Sequence, residues 1–265
     1  MARGRTARHP DLSPGITQIE GRHPVLEALR AGRPLRKLLV ARASAATGSV
    51  HQLIGEARRR GIPVQEVDAR VVDRLARTRA PQGVIAYAAA RAMVEVDDLL
   101  RLARDRGEPP FVLLLDGVED PGNLGAILRS AEAAGVHGVV IPRHRAVGLT
   151  PAVAAASAGA IEHVLVAQSP NLSRAIDVLK DAGVWVVGAD QGAGQAIYDA
   201  ALRPPIALVA GGEGRGLGRL VRERCDLLVR IPMHGATASL NVSVAAALAL
   251  FEVRRQMRAA EATPS

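Results

Sequence analysis

Beyond residue 110 the chain repeats one unit, a short aliphatic run followed by a stretch with helical spacing. This alternation limits the fold more than any other feature. Residues 111–116, 138–141, 162–167, 184–188, 206–210 and 227–231 read as strands rich in Val, Ile and Leu. Helical patterns fill 123–134, 151–160, 172–182 and 242–257. Strands alternating with helices imply a mostly parallel sheet with helices on its faces. Ligands of such sheets bind beyond the carboxyl ends of strands, so the loops after 116, 210 and 231 are where chemistry is expected.

Residues 16–90 carry a smaller alternation, with helices at 21–30, 50–60 and 71–77 and strands at 35–41, 63–67 and 84–88. They are expected to form a small α/β sandwich. This part offers no paired carboxylates, no phosphate loop and no nucleophile beside an evident base. Its polar points are Arg22, His23, Arg36, Lys37 and the turn at 78–83, which suit a binding module. Arg22 and His23 suit a plain helix-start surface as well. Residues 1–15 read as a basic tail, 91–109 as a linker with a short helix at 97–106 and an end at Pro109-Pro110, 110–258 as the larger domain and 259–265 as a C-terminal tail.

Composition narrows the class. Of 265 residues 48% are hydrophobic and 2% aromatic, so the cores must be built from Ala, Val, Leu and Ile. No uninterrupted apolar run reaches the length of a membrane span. The basic N-terminus lacks the apolar segment of a signal peptide. The single cysteine, Cys225, excludes a disulfide framework within the chain and a cysteine-cluster zinc site. A cytoplasmic protein with no membrane segment and no metal is expected. A net charge of +8 favours an anionic partner such as nucleic acid. With only two lysines, Lys37 and Lys180, the arginine excess is also what a biased base composition would leave on a surface.

Three stretches carry the candidate chemistry. In residues 116–130, Pro121-Gly122 makes a turn and Asn123 is expected to cap a helix that bears Arg129 about one and two-thirds turns further on. A capped helix with a surface arginine accounts for the same pattern. Asp116, Glu119 and Asp120 read as loop charges. In residues 208–217 a strand runs into a glycine-rich loop centred on Glu213. A dinucleotide fingerprint fails there, because Leu217 or Arg219 stands where its last glycine belongs, and a P-loop fails for want of a lysine. The glycines therefore suggest close approach of a ligand or of another backbone. In residues 231–251 a strand end, a polar loop with Gly235 and the pair Ser239 and Asn241 precede a long apolar helix. One of that pair is explained as an N-cap; the other is not.

Taken together, Asn123-Leu-Gly-Ala-Ile-Leu-Arg129, Gly211-Gly-Glu-Gly-Arg-Gly216, Ile231-Pro-Met and Ser239-Leu-Asn-Val-Ser-Val244 resemble the three motifs of the SpoU/TrmH branch of SPOUT RNA ribose 2′-O-methyltransferases. Residues 16–90 resemble the L30e-like RNA-binding domain that precedes the catalytic domain in the RlmB group of 23S rRNA guanosine methyltransferases. The resemblance implies a trefoil-knotted α/β domain, an exception to the usual absence of knots. It implies S-adenosylmethionine held by backbone at Gly211, Ile231 and Leu240, and a homodimer for which the helix 242–257 is a candidate interface. It makes Arg129, Asn123, Glu213, Ser239 and Asn241 the catalytic set, and RNA the partner of Arg22, His23, Arg36 and Lys37. A guanidinium keeps its proton at any working pH, so Arg129 is expected to stabilise charge rather than act as a base. A tRNA methyltransferase or an antibiotic-resistance rRNA methylase would share these motifs. So would a non-catalytic RNA-binding assembly factor that keeps the fold.

Overall fold

The structure is a computed structural model that describes residues 15–78, 80–212 and 214–261. The chain forms two compact units, one of residues up to 91 together with 149–162, the other of 92–148 and 163 onward.

In chain order the first unit contains β1 (Ile16–Glu20), α1 (Arg22–Arg30), β2 (Leu35–Ala41), α2 (Arg42–Ala45), α3 (Gly48–Arg59), β3 (Val64–Val67), α4 (Ala69–Leu75) and β4 (Val84–Ala89). The sheet order is β1-β4-β2-β3, antiparallel except for β2 with β3. Side chains alternate across β2. Leu38 and Val40 join Val25, Leu29, Leu53 and Ile54 of α1 and α3, whereas Leu39 and Ala41 join Val72 of α4. Both faces are covered, which is why 38–41 reads as a continuous apolar run. β1 escapes sequence reading because two of its buried positions are polar. Gln18 donates to Glu20 at 2.8 Å, and Glu20 accepts the backbone N–H groups of Arg77 and Thr78 at 2.7 and 3.0 Å.

The second unit opens with α5 (Val96–Arg106), β5 (Phe111–Asp116), α6 (Pro121–Ala133) and β6 (Gly138–Pro142). The chain then visits the first unit as α7 (Pro151–Ala156) and a 3₁₀ turn that ends at Glu162. It returns as β7 (Leu165–Ser169), α8 (Leu172–Asp181), β8 (Trp185–Ala189), β9 (Gln195–Ala196), β10 (Ile206–Gly211), α9 (Arg219–Arg224), β11 (Leu227–Arg230) and α10 (Val242–Glu261). The sheet order is β7-β6-β5-β10-β8-β11-β9, every pairing parallel. Leu99, Leu100, Ile176, Leu179 and Val221 cover one face over Val112, Leu114, Val140 and Val209. α6 and α10 pack on one another, and α10 on β10, against the alternate residues of the strands.

The short helix expected over 97–106 of the linker is α5, which buries Val96, Leu99, Leu100 and Ala103 in the second unit's core. Residues 149–162, expected within the larger domain, cluster with the first unit, where the buried Glu162 pairs with Arg33 and, at 3.4 Å, with Arg91. The helix expected over 151–160 stops at Ala156, followed by left-handed Ala158 and Gly159.

Candidate active site

The sheet order creates a switch point. β5 leads through α6 to β6 on one side, and its neighbour β10 leads through α9 towards β11 on the other. Asp116 and Gly211, the last residues of β5 and β10, are paired across that seam. Loops leaving in opposite directions open a crevice at the carboxyl ends of the strands.

The glycine-rich loop closes back on this seam. Gly212 N–H donates to the Asp116 carbonyl at 2.7 Å, Gly216 N–H to the Gly212 carbonyl at 3.2 Å, and Gly218 N–H to Asp116 Oδ2 at 2.7 Å. A Cβ on Gly211 would stand 2.2 Å from the carbonyl carbon of Gly216, and one on Gly212 2.2 Å from the Gly117 oxygen. Of the two readings of these glycines, Gly211 and Gly212 thus serve backbone-on-backbone approach. Glu213 lies outside the described residues. Asp116 spans the loop with its carbonyl and carboxylate; a lone acid ending an aliphatic strand was the signal that the sequence offered for it.

Two helix N-termini meet at this end of the sheet. Asn241 Nδ2 donates to Asn123 Oδ1 at 3.0 Å. The expectation that Asn123 caps α6 is corrected. The cap is Asp120, whose Oδ1 accepts Asn123 N–H at 2.7 Å, and Pro121 opens the helix. Aspartate at the cap leaves the Asn123 side chain available to reach across to α10. Asn241 does act as a cap, its Oδ1 accepting Ser243 N–H and Oγ–H at 2.8 and 2.6 Å. The paired N-termini of a 13-residue and a 20-residue helix make the spot favourable for negative charge.

Arg129 stands six residues, about 9 Å of helix rise, beyond Asn123. It is exposed, and among the described residues it makes no ion pair or hydrogen bond. The structure joins Asn123 to Asn241 but does not bond Arg129 to either. Ile231 is buried at 6% exposure, Leu240 is half-buried and Ser239 exposed. Among the described residues no hydrogen bond involves the loop 232–240, so its backbone donors and acceptors are open to a ligand or water. Cys225, on the seam's far side, donates to the Val221 carbonyl, and burial pushes its thiol pKa up to about 11, which makes it a poor nucleophile.

In the first unit, Arg22 and His23 line a cleft with Leu26, Ser49 and Gln82. Arg36 and Lys37 begin β2, while this cleft sits near its other end, about 15 Å away by strand rise. Ser49 and Gln82 were not anticipated individually, although Gln82 falls in the turn at 78–83.

Comparison with known proteins supplies an independent view. Residues 110–251 match the family model described as SpoU rRNA Methylase, and residues 18–94 match RNA 2′-O ribose methyltransferase substrate binding. A Bacillus subtilis protein, named as a TrmH family tRNA/rRNA methyltransferase, is 47% identical over 90% of this chain and 95% of its own. The SpoU methyltransferase AviRb from Streptomyces viridochromogenes, solved with AdoMet, aligns at TM-score 0.77 and 29% identity over 92% of this chain and 91% of that one. An AdoMet-bound rRNA methyltransferase from Sinorhizobium meliloti aligns at TM-score 0.74 and 27% identity, covering 92% and 88%.

Proposed function

Because this chain belongs to the SpoU rRNA methylase family and is an S-adenosylmethionine-dependent RNA ribose 2′-O-methyltransferase, we propose that its substrate is a guanosine ribose of 23S ribosomal RNA. The observation that carries the choice of RNA is the first unit. A substrate-binding family model matches it, and the alignment with the S. meliloti rRNA methyltransferase spans both units at 92% of the chain. Guanosine and the 23S molecule come from the resemblance to the RlmB group. The excess positive charge, +8, suits a long polyanion. Such a substrate assigns the protein to the cytoplasm.

The crevice fits the cofactor. Main-chain groups at Gly211, Ile231 and Leu240 would hold it, beside a loop whose backbone makes no hydrogen bond among the described residues and two helix N-termini that suit a carboxylate. When bound, S-adenosylmethionine supplies a methyl group made electrophilic by its sulfonium sulfur. The 2′-oxygen would pass its proton to solvent water as it takes the methyl, whose bond to sulfur would break. Arg129 holds the neighbouring phosphate and stabilises the negative charge that develops on that oxygen. Asn123 and Asn241 act as a unit that positions the ribose, Ser239 supplies a hydroxyl at the loop's end, and Glu213 organises the same network. Two copies assemble through α10, whose Val244, Leu248 and Phe251 are 47%, 40% and 49% exposed at helical spacing.

The test is transfer of labelled methyl to unmodified 23S rRNA and to bulk tRNA, followed by nucleoside analysis. Label recovered as 2′-O-methylguanosine in 23S rRNA is the expected result. Label confined to tRNA would overturn the substrate and keep the chemistry.

A further inference from the structure

α6 and α10 are joined at both ends. At their amino ends Asn241 Nδ2 donates to Asn123 Oδ1 at 3.0 Å. Further along, the Arg254 side chain leaves α10 and reaches the carboxyl end of α6. There its Nε–H donates to the Ala134 carbonyl, and its Nη2–H donates to the Gly135 carbonyl at 2.8 Å. The remaining nitrogen, Nη1, meets Met257 Sδ at 3.5 Å, and Cζ lies 5.5 Å from the centre of the Phe111 ring, which opens β5. One guanidinium, with all three nitrogens engaged, fastens two helices to a strand.

Two features of α6 are fitted to this cation. Its last turn has no basic residue of its own, so Arg254 supplies the positive charge that complements a helix carboxyl end. The chain turns out of α6 at Gly135, whose φ is 66°, and a Cβ there would stand 2.6 Å from Arg254 Nη2. The spacing agrees as well. Asn123 to Ala134 is eleven residues and Asn241 to Arg254 thirteen, about 17 and 20 Å of helix rise, so the two ties hold parallel helices side by side.

Arg129 stands on α6 between these ties, six residues after Asn123 and five before Ala134. We infer that Arg254 is a positioning residue for methyl transfer. It fixes α6 along α10 and so sets where the Arg129 guanidinium stands relative to Asn241. The inference rests on the charge-stabilising role proposed for Arg129. Packed helices shift past one another by about 1–2 Å when one arrangement is no longer enforced. A displacement of about 1 Å at a reacting group slows chemistry by up to about a hundredfold. Among the described residues Arg254 makes no bond to the loops that follow β5 and β10, so its loss leaves the cofactor's hold alone.

Methyl transfer from S-adenosylmethionine to unmodified total RNA tests this, so that the choice of RNA does not enter. The variants are R254M, R254K and R258A, with R254M also placed in an R129A background. R254M keeps an apolar stem beside Phe111 and removes the donors, whereas R258A removes an exposed arginine one turn further along α10. Melting curves and sedimentation check folding and assembly, and rates are taken per molecule of enzyme that binds cofactor. R254M is expected to lower kcat about tenfold with the cofactor KM unchanged, R254K to recover part of the loss, and R258A to match wild type. In the R129A background R254M should lower the rate no further, because a group that acts through Arg129 has nothing left to place. A wild-type kcat for R254M, whatever its melting temperature, would overturn the inference and leave Arg254 a support of the fold. A raised cofactor KM at unchanged kcat, or an undiminished loss on top of R129A, would overturn it too. Near-normal turnover by R129A alone would sink the Arg129 role and this inference with it, while a crippled R129A beside a normal R254M sinks the inference alone.

Discussion

Asn241 Nδ2 donates to Asn123 Oδ1 at 3.0 Å, joining the first turns of α10 and α6 across 118 residues of chain. Asn241 also caps α10 through Ser243, whereas α6 is capped independently by Asp120. The two asparagines share one contact but carry different local duties, which makes their variants separable. N241A should lower stability by about 1 kcal/mol through the lost cap as well as slow methyl transfer. N123A should slow transfer with a smaller change in melting temperature. If N123A transfers methyl at the wild-type rate, the pair does not position the ribose.

Arg129 is exposed and unpaired among the described residues, so its removal disrupts little of the fold. R129A is expected to lose about two to three orders of magnitude in kcat, the range for removing one preorganised charge-stabilising donor, with an unchanged melting temperature. R129K should recover only part of the rate, since an ammonium lacks the planar fork that holds a phosphate. Near-normal turnover by R129A would exclude both a stabilising and a basic role.

Gly211 and Gly212 have no room for a methyl group, because a Cβ at either would stand 2.2 Å from backbone atoms. G211A and G212A should each cost about 1–3 kcal/mol and abolish the stabilisation that S-adenosylmethionine gives the native enzyme. D116A, which removes the acceptor for Gly218 N–H, should weaken cofactor affinity, and D116N, which retains an acceptor oxygen, should restore much of it. Thermal shift against cofactor concentration reads all four. Full cofactor response in G211A would mean that the loop's closure on β10 is dispensable.

His137 is buried at the base of the same sheet, its Nδ1 accepting Phe111 N–H at 3.0 Å and its Nε2 facing Glu108 at 3.1 Å. Burial holds its pKa below the ordinary histidine value, against the opposing pull of Glu108. The unfolded chain therefore binds the proton more readily than the folded one. This contribution to stability is present above about pH 6.5 and is lost as pH falls below it towards the folded-state value. H137N keeps an acceptor for Phe111 without titrating, so its melting temperature should vary less between about pH 7.5 and pH 5 than that of wild type. Identical slopes would remove His137 from the account.

The stripe of Val244, Leu248 and Phe251 on α10 predicts self-association. Sedimentation should show a dimer that L248E shifts towards monomer. A wild-type monomer at micromolar concentration would leave the stripe to another partner.

Much of the architecture was legible because it is written in local periodicity. Residues 111–116 and 206–211 lie in the middle of a parallel sheet covered on both faces, so they appear as unbroken aliphatic runs. β1 was not legible, because Gln18 and Glu20 fill buried positions, where Gln18 Nε2 donates to the Leu75 carbonyl and Glu20 accepts from residues 77 and 78. α9 buries only Val221 and β9 spans two residues, too little pattern to detect.

By itself the sequence determined the alternation of strands and helices, the side chains of the three motifs and the family that they belong to, because these reside in neighbouring residues. Only the tertiary structure decided that Asp116 and Gly211 would be neighbours, that Asp120 and not Asn123 would cap α6, and that Asn123 would instead meet Asn241. It likewise decided that Gly211 and Gly212 make room for backbone, and that Arg22 meets Gln82 across 60 residues of chain. Such outcomes depend on which strand lies beside which and on backbones brought together from distant parts of the chain. Non-local pairing of that kind leaves no trace in any short window of residues.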